Sequence, residues 1–185
     1  MLRRHFLQTL PLVAAAVSSV PKDASSQAAG PTTTLVAYFS RTGNTRVIAN
    51  QIHRAKDAVL FEINPAVAYP EDYEETVAQA SRETATGYLP TLAASVPDTW
   101  RYGVIYLGFP IWGMTAPPVI RSFVQALDLS GKALYPFITH GGYGLGNSID
   151  VLNSLAPGSE LKPAFSMEAD QERRTLEQVR GWLRG

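Results

Sequence analysis

Cysteine is absent from the 185 residues. That removes disulfides, thiolate metal ligands, a cysteine nucleophile and a lipid-bearing N-terminal cysteine together. Histidine is scarce: besides His5 there are only His53 and His140, and no spacing of residues would hold a metal. No Gly-x-Ser-x-Gly elbow marks a serine hydrolase. Gly131-Lys132 lacks both the preceding glycine spacing and the following hydroxyl of a Walker phosphate loop. The formal net charge is zero, so the basic footprint of a nucleic-acid-binding domain is missing.

Apolar runs long enough to span a bilayer are lacking as well. The longest, from about Leu10 to Val17, contains Pro11 and is followed by Ser18 and Ser19, short of the roughly 18 apolar residues a spanning helix needs. It is preceded by Arg3-Arg4 and followed by Ser, Gln, Ala and Gly, the basic, apolar, small-residue order of a secretory signal. Arg3-Arg4-His5-Phe6-Leu7 resembles the twin-arginine signal, and the alternative is an ordinary Sec signal. Residues 1–30 are therefore expected to be a cleaved export signal and short linker, with a bond after Ala28 suited to cleavage. Residues 31–185 would form one periplasmic or otherwise exported domain with no stable membrane span. Absence of cysteine is consistent with an oxidising compartment. Residues 1–28 carry Arg3, Arg4 and Lys22 against Asp23, which leaves about −2 on the mature domain.

Strand and helix signals then alternate. Thr34–Phe39 is an almost wholly apolar run, as for a central strand covered on both faces. A helix is expected over Asn44–Ala55, a strand over Ala58–Ile63, and a helix led by Glu71, Asp72, Glu74 and Glu75 and running to Thr84. Those acids either suit a helix N-terminus on a solvated face or offer a docking patch to a basic partner. A third strand over Val104–Phe109 precedes a helix from Pro117 to Leu127. A fourth strand over Ala133–Thr139 precedes a helix over Asn147–Leu155, and a strand near Leu161–Met167 precedes a last helix over Asp170–Leu183. Such alternation builds a doubly wound α/β fold, a mostly parallel sheet with helices on both faces. Ligands bind such sheets outside the carboxyl ends of the strands.

Three loops lie at those ends. Ser40-Arg41-Thr42-Gly43-Asn44-Thr45 joins the first strand to the first helix. Its hydroxyls and backbone amides, at the positive end of a helix dipole, form a phosphate cradle. No lysine is present, so neutral donors suit a terminal monophosphate that is bound and not transferred. Arg41 either helps neutralise that phosphate or faces solvent. The second loop is Pro110-Ile111-Trp112-Gly113-Met114, and the third runs from Thr139-His140 through Gly141-Gly142-Tyr143 to Gly146.

With all three loops in view the chain resembles the flavodoxin family. Ser40–Thr45 matches its phosphate loop Ser/Thr-x-Thr-Gly-x-Thr, and Pro110-Ile111-Trp112 and Thr139-His140-Gly141-Gly142 match strings of the flavodoxin-like group. The resemblance covers essentially the whole mature chain. It implies a three-layer fold with a five-stranded parallel sheet of order 2-1-3-4-5. It also implies FMN, with the phosphate on Ser40, Arg41, Thr42, Gly43, Asn44 and Thr45 and the isoalloxazine between the other two loops. Trp112, at a Pro-x-Trp-Gly turn after a strand, either gives the ring an aromatic face or is a core tryptophan. Pro110 and Ile111 lead into it, and Gly113 is either a turn glycine or a peptide free to turn N–H or C=O toward flavin N5. Thr139, His140, Gly141 and Gly142 would bring backbone N–H groups to the pyrimidine edge. Tyr143 either covers the second face of the ring or lies on the surface. No protein acid is required for one-electron transfer, so no catalytic residue is assigned and His140 is read as a binding position. His53 has no partner in reach by sequence.

The expected function is transfer of electrons through bound FMN, to a redox partner protein or a small quinone-like acceptor. Carrier flavodoxins are typically strongly acidic and this domain is not, which keeps open an NAD(P)H-dependent FMN quinone reductase of the same fold. A non-catalytic flavin-binding module is the reading from another class. Fold does not decide between them. Oligomeric state is open, although flavin reductases of this fold are often dimers.

Overall fold

The computed structural model describes residues 33–169 and 178–184. The expected export signal lies outside the described residues, as does the expected start of the last helix at 170–177; residues 178–182 are helical. In chain order the elements are β1 (Thr33–Tyr38), α1 (Asn44–Lys56), β2 (Val59–Glu62), α2 (Tyr73–Thr86), β3 (Tyr102–Pro110), α3 (Pro118–Gln125), β4 (Ala133–His140), α4 (Ser148–Leu155), β5 (Glu160–Leu161) and β6 (Phe165–Glu168). A 3-10 turn, Thr99–Arg101, leads into β3.

All strand pairings are parallel and the order is β2-β1-β3-β4-β5, with β6 also alongside β4. The alternation predicts a parallel sheet with helices on both faces, and the order is the one the flavodoxin resemblance implies. One element differs: the single strand expected near Leu161–Met167 is two short pieces on β4. Between them Pro163 supplies no N–H to the ladder and the pairing lapses.

The inner strands β1, β3 and β4 are buried on both faces. Leu35 and Ala37 point into one core with Phe109, Val119, Ile120, Phe123 and Leu152. Val36 and Tyr38, one residue out of phase, point into the other with Ile48, Ile52, Tyr106, Phe137 and Val179. This is why β1 reads as an unbroken apolar run. α3 and α4 cover the first face and α1 the second.

Helix ends are set by local chemistry. α1 stops at Asp57, in the left-handed region (φ 47), whose N–H returns to the His53 carbonyl. The isolated reading of His53 is corrected here: its Nδ1–H donates to the Ala58 carbonyl at 2.5 Å, and Ala58 N donates to the His53 carbonyl, so the side chain clamps the turn into β2. α2 starts at Asp72, whose carboxylate accepts from Glu75 N at 2.9 Å, with Glu74 and Glu75 in the positive first turn. At least one of the four acids thus has a capping role.

Candidate functional site

The loops after β1, β3 and β4 meet at the carboxyl end of the sheet. In the first, Gly43 takes φ 95, a left-handed value that turns the chain from strand into helix. No side chain caps α1. Among the described residues the amides of Thr42, Asn44, Thr45 and Arg46 have no hydrogen-bond acceptor, while Gly43 N donates to Ser40 Oγ at 3.1 Å. Four N–H groups are left open at the positive end of a thirteen-residue helix, the donors an anion would need.

Neither nearby arginine enters that cradle. Arg41 donates to the Glu71 carbonyl at 2.6 Å and lies over the Tyr73 ring, 5.8 Å from its centroid. Arg46 pairs with Glu62 at 2.6 Å. Asn44 Nδ2 reaches Thr42 Oγ1 at 3.4 Å, a long contact at the exposed rim. The donors left for an anion are neutral.

The cradle is joined to the third loop by one buried contact. Thr45, in the first turn of α1, and Thr139, near the end of β4, are 1% and 4% exposed, and their hydroxyls lie 2.9 Å apart. Thr139 also accepts Ile111 N through its carbonyl at 2.8 Å, which binds the second loop to the third.

In the second loop Trp112 and Thr115 exchange backbone hydrogen bonds, both 3.1 Å, around Gly113 (φ 54) and Met114 (φ 64). Positive φ at both central positions defines a type I′ turn. Methionine there is strained by roughly 1–2 kcal/mol relative to glycine. The Met114 carbonyl accepts Asn147 N at 2.9 Å and passes so close to Gly146 that a Cβ on that glycine would sit 1.9 Å from the oxygen. The amides of Gly113 and Met114 have no partner among the described residues and are exposed.

Trp112 is half-buried, its ring edge-on to Phe39 (centroids 5.2 Å apart) and Tyr69 (4.8 Å). Tyr69 is held from behind: its hydroxyl donates to Glu83 Oε2 at 2.8 Å, and Gln79 Nε2 donates to Glu83 Oε1 at 2.8 Å. Burial, then the bond to Glu83, raises the Tyr69 hydroxyl above its ordinary pKa. Two aromatic rings, Phe39 and Tyr69, and the buried Glu83 carboxylate behind Tyr69 therefore fix the indole plane.

In the third loop Gly142 N donates to His140 Nδ1 at 3.1 Å. With Nδ1 accepting this bond, the ring's N–H is the one on Nε2. Gly142's amide is thus engaged internally. Those of Gly141 and Tyr143 have no partner among the described residues, and Tyr143 is 75% exposed.

All fifteen residues singled out in the sequence fall on these three loops. Pro110 ends β3, and Ile111 lies half-buried against the core beneath Trp112. Arg41 is the one whose side chain turns away. Missed were Phe39 and Tyr69, Thr115, and the Met114–Gly146 crossing. An aromatic 43 residues before Trp112 gives no signal in one sequence, and the count of loop glycines does not say which one meets another backbone.

The geometry fits a phosphate with a flat ring attached: open amides at a helix start, an oriented indole, and exposed turn amides beside it. A doubly wound α/β protein with open amides at the first strand–helix turn is the class this defines. The chain belongs to the flavodoxin family, whose profile matches residues 33–184. A candidate flavoprotein of known structure from Bacteroides uniformis ATCC 8492 is 31% identical, with a TM-score of 0.75 over 84% of this chain and 100% of its own. One from Bacteroides eggerthii DSM 20697 is also 31% identical, with a TM-score of 0.72 over 83% and 96%. A flavoprotein from Lactobacillus acidophilus NCFM, crystallised in complex with FMN, shares the fold at 21% identity, with a TM-score of 0.65 over 80% and 99%. No curated protein matches the chain.

Proposed function

We propose that this flavodoxin-family chain is an exported FMN-binding redox protein, passing electrons between a donor and either a partner protein or a small quinone-like acceptor. The observation that carries the reading is the uncapped start of α1, four open amides joined through Thr45–Thr139 to the loop that would meet the ring. The FMN found in the Lactobacillus relative supports it. Bound FMN would supply reversible one- and two-electron chemistry. The amides of Thr42 and Asn44–Arg46 would hold its phosphate, and Trp112 would present a ring face. Gly113, Met114 and Gly141 would offer N–H groups to the ring edges. His140 would hold its proton on Nε2 and brace Gly142. Export through a twin-arginine route is supported by Arg3-Arg4-His5-Phe6-Leu7, and that route, which carries folded proteins, would let FMN load in the cytoplasm.

A second reading, an NAD(P)H-dependent quinone reductase, is favoured by the near-neutral mature domain, about −2 by formal count. Adding FMN to the purified chain, then NADH or NADPH with a quinone, separates the two. A yellow complex that pyridine nucleotide leaves coloured supports the carrier, and rapid bleaching supports the reductase. A chain that stays colourless with FMN refutes both. Holoprotein reaching the periplasm of cells without a working twin-arginine translocase would refute the export route.

A further inference from the structure

α2, α3 and α4 and the turn after α2 border an open pocket of about 350 Å³ that none of the three loops lines. Small-molecule sites run from roughly 300 to 1,000 Å³. Leu89, Pro118, Val151 and Leu155 give it apolar walls, and Arg121 lies among them. This guanidinium is half-buried, with Nε donating to the Ala116 carbonyl at 3.1 Å and one terminal nitrogen donating to Thr115 Oγ1 at 2.8 Å. Among the described residues no carboxylate pairs with it. Burial lowers its pKa from the ordinary arginine value. A half-buried, unpaired cation fixed by two hydrogen bonds is a prepared partner for an anion.

The other charges bordering the cavity define which anion. Glu83 is engaged by Tyr69 and Gln79. Asp150 is exposed at the edge and would repel a second negative charge. We propose that this cavity is a second ligand site, taking a small apolar monocarboxylate whose carboxylate pairs with Arg121 and whose body lies on Leu89, Pro118, Val151 and Leu155. Because the same guanidinium holds Thr115, which closes the 112–115 turn, occupancy is transmitted to Met114. Only the importance of that transmission for redox chemistry rests on the flavin reading.

The test is an amide NMR titration of the purified chain with benzoate, benzamide and phthalate, run without FMN and again with it, so that failure of flavin binding leaves the result legible. Benzoate should shift the amides of Leu89, Val151 and Ser154 along one saturating curve, and those of Met114 and Thr115 along the same curve. Neutral benzamide should bind at least about tenfold more weakly, the factor expected for losing one charge-assisted contact, and dianionic phthalate should also bind more weakly than benzoate because Asp150 repels its second charge. Arg121→Gln should lose benzoate by a similar factor. Since that change also cuts the Thr115 tether, Ser154→Trp, which fills the cavity and keeps Arg121, is the second variant and should lose benzoate as well. Benzamide binding as well as benzoate, absence of saturable shifts, or benzoate retained by Ser154→Trp would overturn the site. Static Met114 and Thr115 signals on a saturated cavity would overturn the transmission.

Discussion

The buried Thr45–Thr139 pair is the point at which the start of α1 and the loop after β4 are held to one another, and it can be tested by a double-mutant cycle. Both side chains are almost fully buried and their hydroxyls, 2.9 Å apart, have no other partner among the described residues. Thr45→Val keeps the shape but leaves the Thr139 hydroxyl unpaired in a dry site, which costs about 1–3 kcal/mol. Thr139→Val does the reverse at a similar cost. The double valine replaces a hydrogen-bonded pair by an apolar pair of the same shape, a change that is often close to neutral. A coupling of about 1–2 kcal/mol is therefore expected, far beyond the few tenths found between independent sites. Urea unfolding followed by far-UV circular dichroism measures it, with a constant m-value as the check that only stability has changed. In a domain of this length, where each kcal/mol moves the midpoint by about 2–4 °C, each single should melt roughly 2–12 °C below the parent. Additive singles, with a double as unstable as their sum, would refute the claim that these two hydroxyls join the loops.

Further outcomes follow from the same geometry. Gly43→Ala meets no atom within 4 Å but must hold φ 95, so about 1–2 kcal/mol of stability should be lost. Gly146→Ala, at φ 53, also drives its Cβ into the Met114 carbonyl, so its loss in the same urea assay should be clearly larger. Met114→Gly should stabilise the chain by about 0.5–1 kcal/mol, the relief of left-handed strain less the greater unfolded-state freedom of glycine. Tyr69→Phe removes the donor on Glu83 and should cost about 1–3 kcal/mol at neutral pH. Burial raises Tyr69 above its ordinary value of 10.0, so the unfolded chain loses this proton first and stability falls as pH rises past about 10. Tyr38 and Tyr106, also raised by burial, add to that fall, so Tyr69→Phe should make it shallower without abolishing it, as read by urea midpoints across the alkaline range.

Which parts were legible in the sequence follows from the range of the forces involved. Buried parallel strands such as Leu35–Tyr38 and Val104–Phe109 announce themselves as apolar runs, and the regular return of helices between them predicts a parallel sheet covered on both faces, while the strand order comes from the flavodoxin resemblance. The cradle was legible because hydroxyl and glycine chemistry at a strand–helix turn is local. The split of the last strand follows from Pro163, a signal present in the sequence. What was not legible depends on contacts between distant segments. Tyr69 behind Trp112, Glu83 behind Tyr69, and the carbonyl of Met114 against Gly146 are set by how loops settle on the finished sheet. Arg41 shows the same limit: its place in the phosphate loop points toward an anion, yet the Glu71 carbonyl and Tyr73 ring, thirty or so residues away, turn it outward. His53, too, found its acceptor only when α1 ended at Asp57 and brought Ala58 back beneath it.

The central claim is that the open amides at the start of α1 bind the phosphate of FMN. Its most direct measurement is the affinity of the purified chain for FMN against riboflavin, which has the same ring and no phosphate, by quenching of flavin fluorescence. Two or three charge-assisted hydrogen bonds to backbone N–H groups predict a preference for FMN of about a hundredfold or more, with amide signals of Thr42–Arg46 moving only when FMN is added. Equal affinity for the two flavins, with those signals unmoved, would contradict it.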